Sequence, residues 1–390
     1  MPWQEKSVME QRREFVLLAL QEGANRRELC RRFGIHPDTA YKWLARWKAG
    51  EEDLSDRSRR PHGSPRRSAE TIEEQVLRVR DAHPAWGARK IARCLEREGV
   101  TPPAASTVHR ILVRGGRIMD PLGGARASVR FEKAEPNELW QMDFKGWKRL
   151  GNGCRCHALT MIDDHSRFAL GLEACADERG ETVKSRMERA FRRYGLPQAL
   201  FVDNGTPWGD SSGQRWTSFS VWLLKLGVKL LHSRPYHPQS RGKNERFHRT
   251  IDEEIFAFKI LQGLTEAQRA FDAWRNVYNF ERPHEALGQD VPASRYRPSP
   301  RTMPAKLPTI EYDRGEITRA VNSTKAYVHF KGRAWKVPSA FCGEHLAIRP
   351  TDRDGRYGIF FGANRIASID LRSENTVGHV SEHPSAISPG

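Results

Sequence analysis

A chain of 390 residues has room for two to four domains and for at least one full hydrophobic core. A formal net charge of +17 and a pI near 9.9 call for a polyanionic partner, because surplus Lys and Arg chiefly serve to neutralise phosphate. No apolar run is long enough to span a bilayer, and Gln4, Glu5 and Lys6 leave no room for a signal-peptide core. A cytoplasmic protein with no membrane partner is expected. The six cysteines are scattered, which excludes a disulfide framework. Cys154, Cys156 and His157 lack a second ligand pair, so free thiols are expected there rather than zinc.

In chain order, residues 1–53 read as three helices. Phe15, Val16, Leu18 and Leu20 mark the first, Leu29, Cys30 and Phe33 the second, and Tyr41, Trp43, Leu44 and Trp47 the third, which starts near Pro37. Gly34 supplies the turn of a helix-turn-helix. The following helix would present His36, Asp38, Thr39, Tyr41 and Lys42 to a major groove. Residues 54–68 (LSDRSRRPHGSPRRS) form a basic linker, whose Arg59 and Arg60 suit a minor groove. Residues 69–118 repeat the helical theme, with Ser106 as the expected N-cap of the last helix, and form a second helix-turn-helix. A Gly-rich linker follows at 119–135.

From residue 136 to 298 the pattern becomes α/β. Strands are predicted at 139–147, 157–162, 168–174, 200–202 and 228–232, and helices at 181–194, 218–226, 244–258 and 266–278. That order builds a mixed sheet covered by helices. In the 244–258 helix, Phe247, Ile251, Ile255 and Phe258 are expected to share the core face. After a Pro-rich linker at 299–322, residues 323–372 alternate as a small β-barrel. The tail 373–390 reads as disordered. The overall expectation is a multidomain protein: N-terminal all-α units, a central α/β domain and a C-terminal barrel.

Three acids stand where rigid backbone would hold them. Asp143 lies in a strand, Asp203 closes another before Asn204-Gly205, and Glu245 opens a helix. Taken singly, Asp143 reads as an edge turn and Glu245 as a solvated helix-start acid; only Asp203 stands out. Together, in a cationic protein, they suit magnesium, which takes oxygen ligands and needs few carboxylates per ion. A pair of such ions clamps an in-line phosphoryl displacement.

The sequence QMDFKG around Asp143, with MIDDHSRF at 161–168, FVDNGTPW at 201–208, RPYHPQSRGKNERFHRT at 234–250 and YNFERPHEALG at 278–288, resembles the catalytic core of retroviral integrases and insertion-sequence transposases. The acids are spaced 60 residues (143 to 203) and 42 residues (203 to 245) apart, in the Asp, Asp, Glu order of that superfamily. The resemblance implies a ribonuclease-H-like integrase core and Asp143, Asp203 and Glu245 as catalytic metal ligands. It also implies two Mg2+ (or Mn2+) ions per site and a homo-oligomer on double-stranded DNA, both terminal inverted repeats and target, in a bacterial nucleoid. Asn204, Gly205 and Asn244 are expected to steady the acids, and Lys243, Arg246 and Arg249 to meet the DNA backbone. Asp163 and the segment 278–284 are expected to be structural. The paired His and Cys zinc domain of retroviral integrases is absent. Two rivals remain open: a transposase descendant that only binds DNA as a regulator, and a ribonuclease-H-type nuclease.

Overall fold

The computed structural model describes residues 7–51, 53–57, 67–118, 132–203, 205, 208, 216–232 and 242–372. Arg59, Arg60, Asn204, most of the 235–242 loop and the 373–390 tail lie outside the described residues. The chain divides into two compact units, Met1–Arg67 and Ser68–Gly390.

The first unit contains α1 (Val8–Ala19), α2 (Arg26–Phe33) and α3 (Pro37–Lys48). Ser7 and Glu10 form a reciprocal capping box on α1, and Asn25 caps α2. Gly34 closes α2 in the left-handed conformation at φ 63°, where a side chain would be strained. Phe15, Val16, Ala19, Cys30, Ala40 and Leu44 form the core; Leu20 is exposed. Leu54 is also fully buried there. Arg12 donates to its carbonyl at 2.8 Å, and Arg46 donates to the carbonyls of Asp53 and Ser55. The first residues of the basic linker are thus part of the helical unit.

The second unit opens with α4 (Glu70–Ala82), α5 (Ala88–Arg97) and α6 (Ala105–Arg114), packed around Val76, Trp86, Ile91, Leu95, Val108 and Ile111. Helix α6 begins one residue before Ser106, with no side-chain cap. The carbonyl of Ala104 accepts from Thr107 and Val108 instead, a start set by the preceding Pro102-Pro103.

The α/β domain holds one five-stranded sheet of β1 (Leu139–Arg149), β2 (Arg155–Asp163), β3 (Ala169–Cys175), β4 (Ala199–Val202) and β5 (Lys229–His232). Their order is β3-β2-β1-β4-β5; β2 runs antiparallel to β1 and β3, whereas β4 runs parallel to β1 and β5. The mixed sheet is as the pattern predicts. Helices α7 (Gly180–Tyr194) and α8 (Ser218–Lys225) cover one face, over Trp140, Met142, Leu159 and Met161. Helices α9 (Gly242–Ile251) and α10 (Leu264–Phe280) cover the other, over Ala158, Ile162 and Leu172.

The predicted helix at 244–258 is interrupted. A π-turn occupies Asp252–Phe256, with the amide of Ala257 donating to Asp252 O across five residues. The extra residue shifts the helical phase. Phe247, Ile251 and Ile255 remain buried, but Phe258 is 58% exposed rather than in the core.

The segment 278–284 forms the expected clasp. The Asn279 amide bonds both backbone groups of Ala169, Tyr278 Oη lies 3.1 Å from His284 Nε2, and Arg282 pairs with Glu254 at 2.8 Å. Helix α5 docks on this clasp. Arg93 pairs with Asp290 at 3.0 Å, Arg97 donates to the carbonyls of Glu281 and Gln289, and Val277 packs into the α4–α6 core.

The C-terminal part holds β6 (Ile317–Ala320), β7 (Tyr327–Phe330), β8 (Arg333–Lys336), β9 (His345–Pro350), β10 (Arg356–Phe361) and β11 (Asn364–Asp370). They form two antiparallel sheets, β11-β10-β9-β6 and β7-β8. Among the described residues the ladders do not close into the expected barrel. The sheets share one core of Val328, Trp335, Phe341, Ile348, Ile359 and Phe361, joined by Val221 of α8. Strand β6 falls inside the segment read from sequence as a linker.

Candidate active site

Strand parity sets the acids. On β1, Trp140 and Met142 point into the α7–α8 core, so Leu139, Gln141 and Asp143 face the α9–α10 side. On β4, Leu200 and Val202 enter the α7–α8 core, which turns Asp203, one residue beyond the strand, to the α9–α10 side. The β1–β4 ladder pairs Gln141 with Phe201. Carried two residues further, the same register sets Asp143 level with Asp203. Both carboxylates therefore belong to one face of the sheet at neighbouring positions.

Each aspartate has backbone support. The Gly205 amide donates to Asp203 Oδ1 at 3.1 Å, an Asx turn, and a Cβ on Gly205 would stand 3.2 Å from Asp203 Oδ2. His232 at the end of β5 donates from Nδ1 to Asp203 O at 2.8 Å. The Thr160 hydroxyl, opposite Asp143 on β2, donates to Asp143 O at 2.9 Å.

Glu245 is exposed in the first turn of α9, the helix laid over this face. Three contacts flank it. Lys243 reaches Asp164 Oδ1 at 2.5 Å, and Asp164 also accepts from Gln141 Nε2 at 2.6 Å. His248 Nε2 meets Thr160 Oγ1 at 2.9 Å. Just beyond α9, Asp252 pairs with Lys145 of β1 at 2.6 Å and Lys148 at 3.2 Å. Burial pulls Lys243 down to about 8 despite the pull of Asp164. Burial, reinforced by the Lys145 charge, pushes His248 down to about 4, so its imidazole is neutral near pH 7.

Lys243, expected to meet DNA phosphate, pairs with Asp164. Arg246 and Arg249 are exposed on α9, and Asn244 is buried. In α3, Tyr41 and Lys42 are exposed, Thr39 is half-buried, and His36 caps the helix by accepting from the Asp38 amide at 3.4 Å. Asp163 is structural as expected: it accepts from Asn137 N, Ser166 N and Ser166 Oγ, and burial raises its carboxyl. All six cysteines are free. Sequence reasoning passed over Thr160 and Lys145. The one available signal was a polar Thr at an inward position of the otherwise apolar Ala158–Ile162 run.

Among the described residues, no three His, Cys, Asp or Glu side chains stand close enough together to hold a metal ion. The donor chemistry still fits one: two carboxylates share a face, and Gln141 Oε1 and Asn244 Oδ1 are buried acceptors without a hydrogen-bond donor among the described residues. Hard oxygen donors of this kind suit Mg2+ or Mn2+.

Residues 133–238 and 226–292 each match an integrase core domain, and residues 316–377 match the C-terminal domain of the IS481 family of transposases. The chain thus carries an integrase core and the C-terminal domain of an IS481 family transposase. Its N-terminal part agrees, with a helix-turn-helix domain matched at 11–62 and a homeodomain-like domain at 39–112. The chain is 26% identical over 235 residues to an insertion element IS407 protein of Burkholderia multivorans, covering 59% of this chain and 82% of that one. It is 27% identical over 158 residues to an IS476 protein of Xanthomonas euvesicatoria, covering 40% of this chain and 44% of that one. It is also 30% identical over 182 residues to the Gag-Pol polyprotein of feline leukemia virus, covering 45% of this chain and 10% of the polyprotein. Among solved structures, the catalytic core domain of BIV integrase aligns with TM-score 0.32 and 21% identity, over 40% of this chain and 92% of that one. The magnesium-bound trimeric form of the HTLV-2 integrase core aligns with TM-score 0.32 and 16% identity, over 42% and 99%. Among the described residues, no helix is long and apolar enough to cross a membrane.

Proposed function

We propose that this chain is a DNA transposase that binds the terminal inverted repeats of an insertion sequence, cuts a strand at each element end and joins the freed 3′-hydroxyl to target DNA. The observation that carries the reading is the common face of Asp143 and Asp203, roofed by the helix that bears Glu245. These three side chains would hold two Mg2+ or Mn2+ ions. Bound there, the ions would supply Lewis acidity toward the attacking and leaving oxygens of a phosphodiester.

The chain's own residues do the positioning. A central strand gives Asp143 a rigid mount, and the turn at Gly205 aims Asp203. Asn204 and Asn244 are proposed to steady the acids. His36, Thr39, Tyr41 and Lys42 are proposed to read the repeat, with Arg59 and Arg60 in the adjoining minor groove and Arg246 and Arg249 on phosphates near the cut. No protein nucleophile is required. The protein is proposed to work in the cytoplasm at the nucleoid, as a homo-oligomer holding paired ends.

The test is cleavage of a duplex carrying the sequence that flanks the reading frame. Asp203→Asn should bind that duplex as the parent does and fail to cut it with Mg2+ or Mn2+. Cutting at the parental rate by this variant would refute the catalytic assignment, whereas a parent that binds but never cuts would identify a regulator.

A further inference from the structure

Thr160 has one hydroxyl proton, and it goes to Asp143 O at 2.9 Å. The same oxygen lies 2.9 Å from His248 Nε2. Its proton being spent, Thr160 Oγ1 accepts in that second contact, so His248 Nε2 carries the hydrogen. Thr160 is fully buried, and it stands opposite Asp143 in the β1–β2 ladder with its side chain on the same face. His248 lies three residues after Glu245, which puts the two on one side of α9 about one turn apart. A single relay of two hydrogen bonds thus ties the Asp143 backbone to the helix that carries Glu245.

We propose that His248 is a positioning residue: through Thr160 it latches α9 onto β1 and sets where Glu245 stands relative to Asp143. The proposal rests on the catalytic reading given above. The imidazole touches neither acid and does no chemistry; it supplies one N–H at a fixed height on the sheet. Lys243 to Asp164 and Asp252 to Lys145 hold the helix on either side, so loss of the latch leaves the helix docked but free to rock where Glu245 is mounted.

The experiment uses the full chain, a duplex carrying the sequence that flanks the reading frame, and Mn2+ alone as a separate probe. His248→Ala should slow single-turnover cleavage about 100-fold, the scale of an ångström-level misplacement. It should also weaken Mn2+ binding to the DNA-free protein, read from the spin resonance of free Mn2+, while the duplex Kd stays parental. His248→Gln, whose amide can still donate to Thr160, should recover both readouts to within roughly 3-fold. Thr160→Val, near-isosteric and without the hydroxyl, should reproduce His248→Ala even if that variant folds poorly. Asp203→Asn runs alongside. Parental cleavage and Mn2+ affinity in both His248→Ala and Thr160→Val, with Asp203→Asn inactive, overturns the latch alone. Equal loss in His248→Ala and His248→Gln also overturns it, because the imidazole itself would then be needed. Parental cleavage in Asp203→Asn removes the catalytic reading and the latch with it.

Discussion

Glu254→Ala should be among the most damaging substitutions in the second unit. Glu254 sits in the π-turn after α9 with its side chain 7% exposed, and Arg282 opposite it is 7% exposed as well. One carboxylate oxygen accepts from Arg282 Nε at 2.8 Å and the other from Trp274 Nε1 at 2.9 Å. The alanine leaves a buried guanidinium without its counter-charge and an indole N–H without its acceptor. Removing one partner of a buried pair costs about 3–5 kcal/mol, and the indole alone accounts for roughly 1 kcal/mol or more. At roughly 2 °C per kcal/mol for a large domain, the melting temperature should fall by about 8–12 °C. The assay is thermal unfolding followed by tryptophan fluorescence, with Glu254→Leu/Arg282→Met as the paired control. The double variant removes both charges and should be more stable than Glu254→Ala. A shift below about 2 °C in Glu254→Ala, or a double variant less stable than the single one, would refute the reasoning.

Acid sensitivity should come from buried histidines. Burial depresses His248 to about 4 and His284 to about 3, both below the ordinary value of 6.5. Between pH 6.5 and 4 the unfolded chain therefore binds protons that the folded chain refuses, so stability falls on acidification, by up to about 1.4 kcal/mol per pH unit for each group. Urea midpoints across that window should show a shallower slope for His284→Gln, and an unchanged slope would contradict it. Gly205→Ala places a Cβ 3.2 Å from Asp203 Oδ2; cleavage of the flanking-sequence duplex should drop at least 10-fold with little change in melting temperature, and parental cleavage would show that the carboxylate does not need this turn. Lys42→Ala should weaken binding to the flanking-sequence duplex by about 10-fold more than to an unrelated duplex; equal loss on both would remove Lys42 from the residues that read the repeat.

Much of the fold was legible because the strands are short apolar runs bounded by turn residues. Ala158–Ile162 and Leu170–Ala174 are buried on both faces and admit no other reading. The shared parity of Asp143 and Asp203 was equally open to inspection once the runs were placed. What escaped depends on distant partners. Nothing local marks the π-turn, which coincides with Asp252 reaching Lys145 and Glu254 reaching Trp274 and Arg282. The pairing of Lys243 with Asp164 was not legible because Asp164 is 79 residues away and wholly buried. Strand β6, Ile-Thr-Arg-Ala, is too short and polar to signal itself and exists because β9 pairs with it.

The docking of α5 on the clasp has a geometric consequence. Arg93 and Arg97 fasten the helical bundle to residues 281–290, some 190 positions later in sequence. The offset between the helical bundle and the acidic face is thus held by a side-to-side joint. The joint serves as a yardstick: contacts between residues remote in sequence keep the bundle and the sheet at a set span.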